Sequence, residues 1–230
     1  MKTIGMIGGT TWVSTTEYYR IINRETNRRL GRANSAKIIL YSVNQEEFNP
    51  AKNHNESGKV ADFLIGIARK LENAGADCLL LCANTPHTAA DTVQANIRIP
   101  LIHIAEVTAK EIRKQNINRV GLLGTKVTME QLFYKGRLAN YGIDTLIPDE
   151  EERDFIHTTI FTELGKEIFK EETKKKYLDI IKKLNRKEAG GIVFACTEIP
   201  LLLKQSDCSV PVFDTMTIHA MAAVDFALSN

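Results

Sequence analysis

The sequence predicts an α/β fold of two pseudo-symmetric domains, each a mostly parallel sheet flanked by helices, with the active site in the inter-domain cleft. Three observations carry this. Short apolar runs alternate with amphipathic stretches along most of the 230 residues. The run Ile4-Gly5-Met6-Ile7-Gly8-Gly9-Thr10 recurs about half a chain later as Val120-Gly121-Leu122-Leu123-Gly124-Thr125. Two apolar runs, each introduced by Ala-Gly, close on a thiol: Cys82 in DCLLLCANTPH and Cys196 in GGIVFACTEIP. The distance from repeat glycine to cysteine agrees to within two residues in the two halves. The domains implied are 1-104 with 215-230, and 105-214.

The elements follow in order. Thr3–Ile7 is a strand cut by Gly8-Gly9, and Lys37–Ser42 is the second strand. In Ser57–Asn73 the residues Val60, Phe63, Leu64, Ile67 and Leu71 recur at three- and four-residue steps, giving a one-faced helix. Gly75 follows, where a helix C-terminus commonly places glycine. Cys78–Leu81 and Leu101–Ile104 read as strands, Glu106–Gln115 as a helix, and Val120–Leu123 and Ile143–Leu146 as strands. Lys174–Asn185 is helical, with the charged run from Lys170 to Lys176 as a solvated face. Ile192–Ala195 and Val210–Phe213 complete the strands, and helix Thr217–Leu228 packs back onto the first domain.

Composition narrows the function. Thirty basic against 28 acidic residues leave a net charge of +2, which gives nucleic acid and anionic membranes no handle. No apolar stretch approaches the ~20 residues that span a bilayer. The N-terminus reaches Gly-Gly after three apolar residues, so it reads as a strand and not as a signal peptide. Four cysteines without a CxxC pair suit free thiols in a reducing, cytoplasmic location.

In open parallel sheets, ligands bind beyond the carboxyl ends of strands, and both thiols end strand-like runs there. Asn84, Thr85 and Pro86 follow Cys82, and Thr197, Glu198 and Pro200 follow Cys196. Thr or Asn can cap a helix start and Pro suits its first turn, so each thiol is expected at a helix N-terminus that lowers its pKa from ~8.5 and binds a carboxylate. The pairing in a repeat favours a functional couple over two small buried hydrophobes. Cys78 reads as core and Cys208 as a loop residue. The turns Gly8-Gly9-Thr10-Thr11 and Gly124-Thr125 let backbone approach a ligand. A dinucleotide site does not fit, because the spacing is G-x-x-G-G and Asn44, not an acid, follows the second strand. His87 either tunes the Cys82 thiol or sits on a helix surface. His54, His103, His157 and His219 show no metal-ligand spacing. Lys52 and Lys166 lie in polar loops; the default for each is a solvated surface charge, and the alternative is contact with a distal carboxylate.

GMIGGTTWVSTTEYY at the start, CANTPH, GTKVTMEQLFY, CTEIP and VFDT together resemble the aspartate/glutamate racemase family, nearest its aspartate racemase branch with the broad-specificity amino-acid racemases. The likeness spans nearly the whole chain. It implies two pseudo-symmetric α/β domains, racemisation without a cofactor or metal, and a homodimer. Cys82 and Cys196 match both catalytic cysteines. Asn84, Thr85 and Thr197 match positions holding the substrate's α-carboxylate and amino group. Thr10 matches a cleft-lining position where many relatives carry Met. Lys52 and Lys166 fall near the two basic positions that read a side-chain carboxylate, although Lys lacks the bidentate fork of Arg.

The expected activity is interconversion of L- and D-aspartate, glutamate or related amino acids by a two-cysteine, two-base proton transfer at Cα. One sulfur removes the α-proton and the other returns one to the opposite face. The competing activities are broad-specificity racemisation of non-acidic amino acids, or isomerisation or decarboxylation of a related dicarboxylic acid. A non-catalytic small-ligand binding protein fits least, since it needs no paired thiols.

Overall fold

The computed structural model describes residues 1–46 and 57–229. Its strands and helices are β1 (Ile4–Gly8), α1 (Trp12–Leu30), β2 (Ile38–Ser42), α2 (Ser57–Asn73), β3 (Cys78–Leu81), α3 (Ala90–Gln94), α4 (Ile104–Lys114), β4 (Arg119–Gly124), α5 (Lys126–Glu130), α6 (Leu132–Ala139), β5 (Asp144–Leu146), α7 (Glu150–Thr162), α8 (Glu171–Arg186), β6 (Ile192–Ala195), α9 (Ile199–Leu202), β7 (Val212–Asp214) and α10 (Thr215–Leu228). The chain divides into two compact units, 1–104 with 219–230, and 105–218.

In the first unit the sheet runs β2-β1-β3, all parallel. β1 is central and fully buried, which fits its uninterrupted apolar reading. β3 meets one further chain segment at an isolated parallel bridge, Leu79 to Leu101. The strand expected over Leu101–Ile104 is therefore a single bridge. Pro100 accepts from Leu79 N–H and Ile102 donates to Leu79, and the chain then turns into α4 at Ile104. α2 buries Leu64, Ile67 and Leu71 against Ile7, Leu79 and Leu81. Phe63 does not join that face; it is 37% exposed. Gly75 has φ 93°, and the amides of Gly75 and Ala76 bond back to Glu72 and Leu71 to close the helix.

The second unit holds a four-stranded parallel sheet, β5-β4-β6-β7. Here too the glycine-repeat strand has a partner on each side, and one partner, β6, leads directly into a cysteine. α8 buries Tyr177, Ile180, Ile181 and Leu184 in a one-sided stripe against Ile192 and Phe194. Burying a single such aliphatic side chain stabilises by about 1.5–3 kcal/mol. α7 begins with a capping box, in which Asp149 and Glu152 satisfy each other's backbone amides. Among the described residues no helix is long and apolar enough to cross a membrane.

Candidate active site

Cys82 is fixed by the strand ladder. Its amide donates to Ile7 O at 2.9 Å, directly beyond the Ile7–Leu81 pair, so the thiol and the turn after β1 occupy the same carboxyl edge. That turn is tightly built. Gly9 N–H donates to Thr15 Oγ1 at 2.8 Å, and Thr15 and Ser14 hydroxyls donate back to Thr11 O. Thr10 stands at the turn, half-buried. Asn84 is buried, and Thr85 opens a short 3-10 helix over Thr85–Ala89.

The second unit repeats the arrangement. Gly124 pairs with Ala195, so Thr125 and Cys196 continue side by side past the sheet edge. Thr125 caps α5 by accepting from Thr128 N–H. The repeat is not residue-for-residue: Cys82 lies three residues past the partner of Gly5, and Cys196 four past the partner of Gly121. Cys196 is 7% exposed and Thr197 is 4% exposed. The residue that the sequence did not single out is Glu198. It is 2% exposed, and its Oε2 accepts from Cys196 Sγ at 2.9 Å and from Thr197 Oγ1 at 2.9 Å. Its signal was in plain view, as an acid two residues from a thiol in CTEIP, but nothing in the sequence states that it is buried.

Lys166 ends a 3-10 turn over Leu164–Lys166 that packs against α9, the helix after Cys196, and its side chain is exposed. Lys52 lies outside the described residues. Cys78 opens β3, in register with Ile4, and is fully buried, which pushes its thiol up to about 12, as suits a core residue. Cys208 is half-buried after the turn Gln205–Asp207. Among the described residues no group of three or more His, Cys, Asp or Glu is arranged to hold a metal ion.

One expectation fails. Each cysteine does precede a short helical turn, at Thr85 and at Ile199, but the turn does not favour its ionised form. The segment after Cys82 is a 3-10 turn without a side-chain cap bond, and α9 is four residues long with none either. Burial instead pushes both thiols well above their ordinary value. At Cys196 the Glu198 carboxylate raises it further, while the amides of Thr197 and Glu198 pull the other way. Burial thus favours the thiol over the thiolate at both sulfurs.

His87 belongs to the interior and not to a helix surface. Its Nδ1–H donates to Ala83 O at 2.9 Å, and its Nε2 accepts from Ile104 N–H at 3.3 Å. Its ring stacks edge-on with His103 (4.8 Å) and His219 (5.6 Å). His219 donates from Nε2 to Ile102 O at 2.7 Å and accepts at Nδ1 from Tyr18 OH at 2.8 Å. Those partners place the proton of His87 on Nδ1 and, with burial disfavouring its charged form, that of His219 on Nε2. His87 thus braces the carbonyl next to Cys82. Burial lowers His87 well below its ordinary value and His219 to about 3. Between those values and ~6.5 the unfolded chain binds the extra protons, so stability is complete above ~6.5 and falls as pH drops, by about 1.4 kcal/mol per pH unit for each histidine. Melting temperature should fall from pH 6.5 to pH 5, and His219→Gln should flatten that slope; an unchanged slope would remove His219 from the account.

These features define the class. The chain matches the model of the Asp/Glu/hydantoin racemase family over residues 7–223 and belongs to that family. It is an isomerase of the racemase type. It is 24% identical over 176 residues to the broad specificity amino-acid racemase RacX of Bacillus subtilis (strain 168), covering 76% of this chain and 74% of that protein. Among solved structures it superposes on a Yersinia pestis protein assigned to the Asp/Glu racemases (TM-score 0.94, 45% identity, all of both chains). It also superposes on an aspartate racemase homologue of Pyrococcus horikoshii OT3 (TM-score 0.87, 36% identity, all of both chains).

Proposed function

We propose that this protein is a cofactor-independent amino-acid racemase in which Cys82 and Cys196 exchange a proton with opposite faces of Cα. The observation that supports it most is the duplicated strand end: in each unit a buried cysteine closes the strand beside a glycine-threonine turn. The α-hydrogen is a very weak acid, so the bases must act in a dry site where fixed dipoles stabilise the carbanion-like transition state. Low exposure of both thiols suits that requirement. In one direction a thiolate takes the α-proton, the C–H electron pair stays on carbon, and the second thiol donates to the other face. The reverse direction exchanges the roles. Thr10, Asn84, Thr85 and Thr197 hold the α-carboxylate and amino group. Lys52 and Lys166 receive a side-chain carboxylate, which makes aspartate and glutamate the first substrates to test. The enzyme works in the cytoplasm as a homodimer.

A broad-specificity reading has its own support in the likeness to RacX and in the exposure of Lys166. The two separate in one experiment. Each L- and D-amino acid is incubated in deuterated water and followed by circular dichroism and mass spectrometry. Racemisation with deuterium at Cα, fastest for aspartate or glutamate, is the expected result. Equal rates for neutral amino acids would remove the roles given to Lys52 and Lys166. Loss of carbon dioxide, or a cis–trans product without enantiomer exchange, would replace racemisation with the dicarboxylic-acid chemistry.

A further inference from the structure

His87 is a buried titratable group that the proton transfer does not use. It lies five residues past Cys82 and is 2% exposed. It grips the segment between them twice. Its backbone N–H donates to Asn84 O at 3.0 Å, and its Nδ1–H donates to Ala83 O at 2.9 Å. The two carbonyls that follow the thiol are thus held by one residue. The ring is itself fixed from its far side, where Nε2 accepts from Ile104 N–H at 3.3 Å. His103 and His219 flank it edge-on, and burial lowers its pKa, so Nε2 keeps the lone pair that Ile104 needs. His219 is anchored in turn by Tyr18 OH and Ile102 O. From the other end, Cys82 N–H is tied to Ile7 O at 2.9 Å. The stretch Cys82–Asn84 is therefore clamped between a strand ladder and an imidazole.

The second unit shows what this clamp adds. Five residues past Cys196 stands Leu201, whose N–H donates to Glu198 O at 3.0 Å, as His87 N–H does to Asn84 O. The backbone turn is the same, but a leucine has no second donor with which to reach back. The turn closes without such a bond, so the imidazole's contact with Ala83 is not needed to make it. We propose that His87 is a positioning residue for the first sulfur: by holding the Ala83 carbonyl it fixes the direction of the Cys82 thiol and of the Asn84 side chain. The inference rests on the two-cysteine reading above. Proton transfer at carbon needs the sulfur close and in line, and a misplacement of about 1 Å costs on the order of 10²-fold. His87 takes and gives no proton in the cycle; it acts through the Ala83–Asn84 peptide.

The test uses three substitutions that divide the ring's two contacts. His87→Asn puts an amide donor where Nδ1 stands and keeps the bond to Ala83 O. His87→Gln puts an amide where Nε2 stands, so it accepts from Ile104 N–H but releases Ala83 O. His87→Leu keeps neither and copies the second unit. Each is assayed with L- and D-aspartate and L- and D-glutamate, at a temperature where circular dichroism shows it fully folded. His87→Gln and His87→Leu should lose about 10- to 10²-fold in kcat, with KM changed less. His87→Asn should recover most of that loss. In His87→Leu the isotope effect with α-deuterated substrate should rise for the enantiomer that Cys82 deprotonates, and the solvent isotope effect for the enantiomer that it protonates. A merely structural role moves neither ratio, because unfolding removes active sites without slowing the step in those that remain. A wild-type rate in His87→Leu, or a loss in His87→Asn as large as in His87→Leu, overturns the proposal. If Cys82→Ala racemises like wild type, the two-cysteine reading fails and this inference with it. An inactive Cys82→Ala beside a fully active His87→Leu sinks this inference alone. Should none of the three variants fold, ¹⁵N NMR of the wild type decides: the proton of His87 is expected on Nδ1, and a proton on Nε2 overturns the clamp.

Discussion

Cys82→Ala and Cys196→Ala are each expected to abolish racemisation, with at least about a 10³-fold loss of rate in both directions. The two enantiomers have equal free energy in water, so kcat/KM must fall by the same factor whichever is supplied. The fold should survive. Each substitution removes one sulfur from a buried position, a change smaller than the leucine truncations that cost about 2–5 kcal/mol, and neither cysteine is in a disulfide. Each variant should be checked for an unchanged circular dichroism spectrum and then assayed with L- and D-aspartate and glutamate. Near wild-type interconversion by either one would end the two-base scheme. A residual washout of the α-hydrogen into deuterated water, without inversion, would agree with it, since one sulfur can exchange a proton but cannot deliver it to the far face.

Gly9→Ala carries the largest expected effect on stability. Gly9 has φ 87°, a conformation that L-residues rarely adopt. An added Cβ would also run into the backbone of Val43, both its carbonyl oxygen and its amide nitrogen. That stretch of backbone is held in place, because Val43 N–H bonds to Gly8 O at 2.9 Å. Strained φ and a backbone clash together are expected to cost on the order of 3–5 kcal/mol. For a chain of this size that is roughly a 6–20 °C fall in Tm. Gly75→Ala provides the control: its φ of 93° is equally unfavourable, but nothing lies near its Cβ. Gly9→Ala should therefore melt well below Gly75→Ala. Equal melting temperatures would mean that the turn relaxes freely, and Thr10 would then lose its claim to be rigidly placed.

Much of the fold was legible because its signals are local. α2, β3 and β6 fall on the ranges that periodicity and apolar runs mark out, Ser57–Asn73, Cys78–Leu81 and Ile192–Ala195. Buried parallel strands are continuous apolar runs, and glycines punctuate their ends. α1 is not legible in the same way. Its buried residues include Ser14, Thr15, Glu25 and Thr26 beside Val13, Tyr18 and Ile22, so no apolar stripe appears. Its last turns are held instead by Glu25, which accepts from Arg28 and Arg29 and is lowered to about 2 by those hydrogen bonds. α7 is similarly mixed, with Glu152 and Thr159 buried beside Ile156 and Ile160. There the Asp149–Glu152 capping box holds the first turn.

The candidate site divides along the same line. The sequence by itself determined where the cysteines, the glycine turns and the threonines lie along the chain, because strand ends and turns are written in neighbouring residues. Those observations also raised the expectation of an ionised thiol. Tertiary structure opposes it, since burial disfavours the thiolate and is set by residues far away in sequence. It also decided the company each group keeps. His87 is tied to the Ala83 carbonyl beside Cys82, His219 reaches Tyr18 and Ile102, and Glu198 faces the Cys196 thiol inside a core built from α8 and β6. Chain order tells which residues are neighbours along a strand. Only packing tells which of them lose their water, and for a thiol, an imidazole or a carboxylate that loss sets where the proton rests.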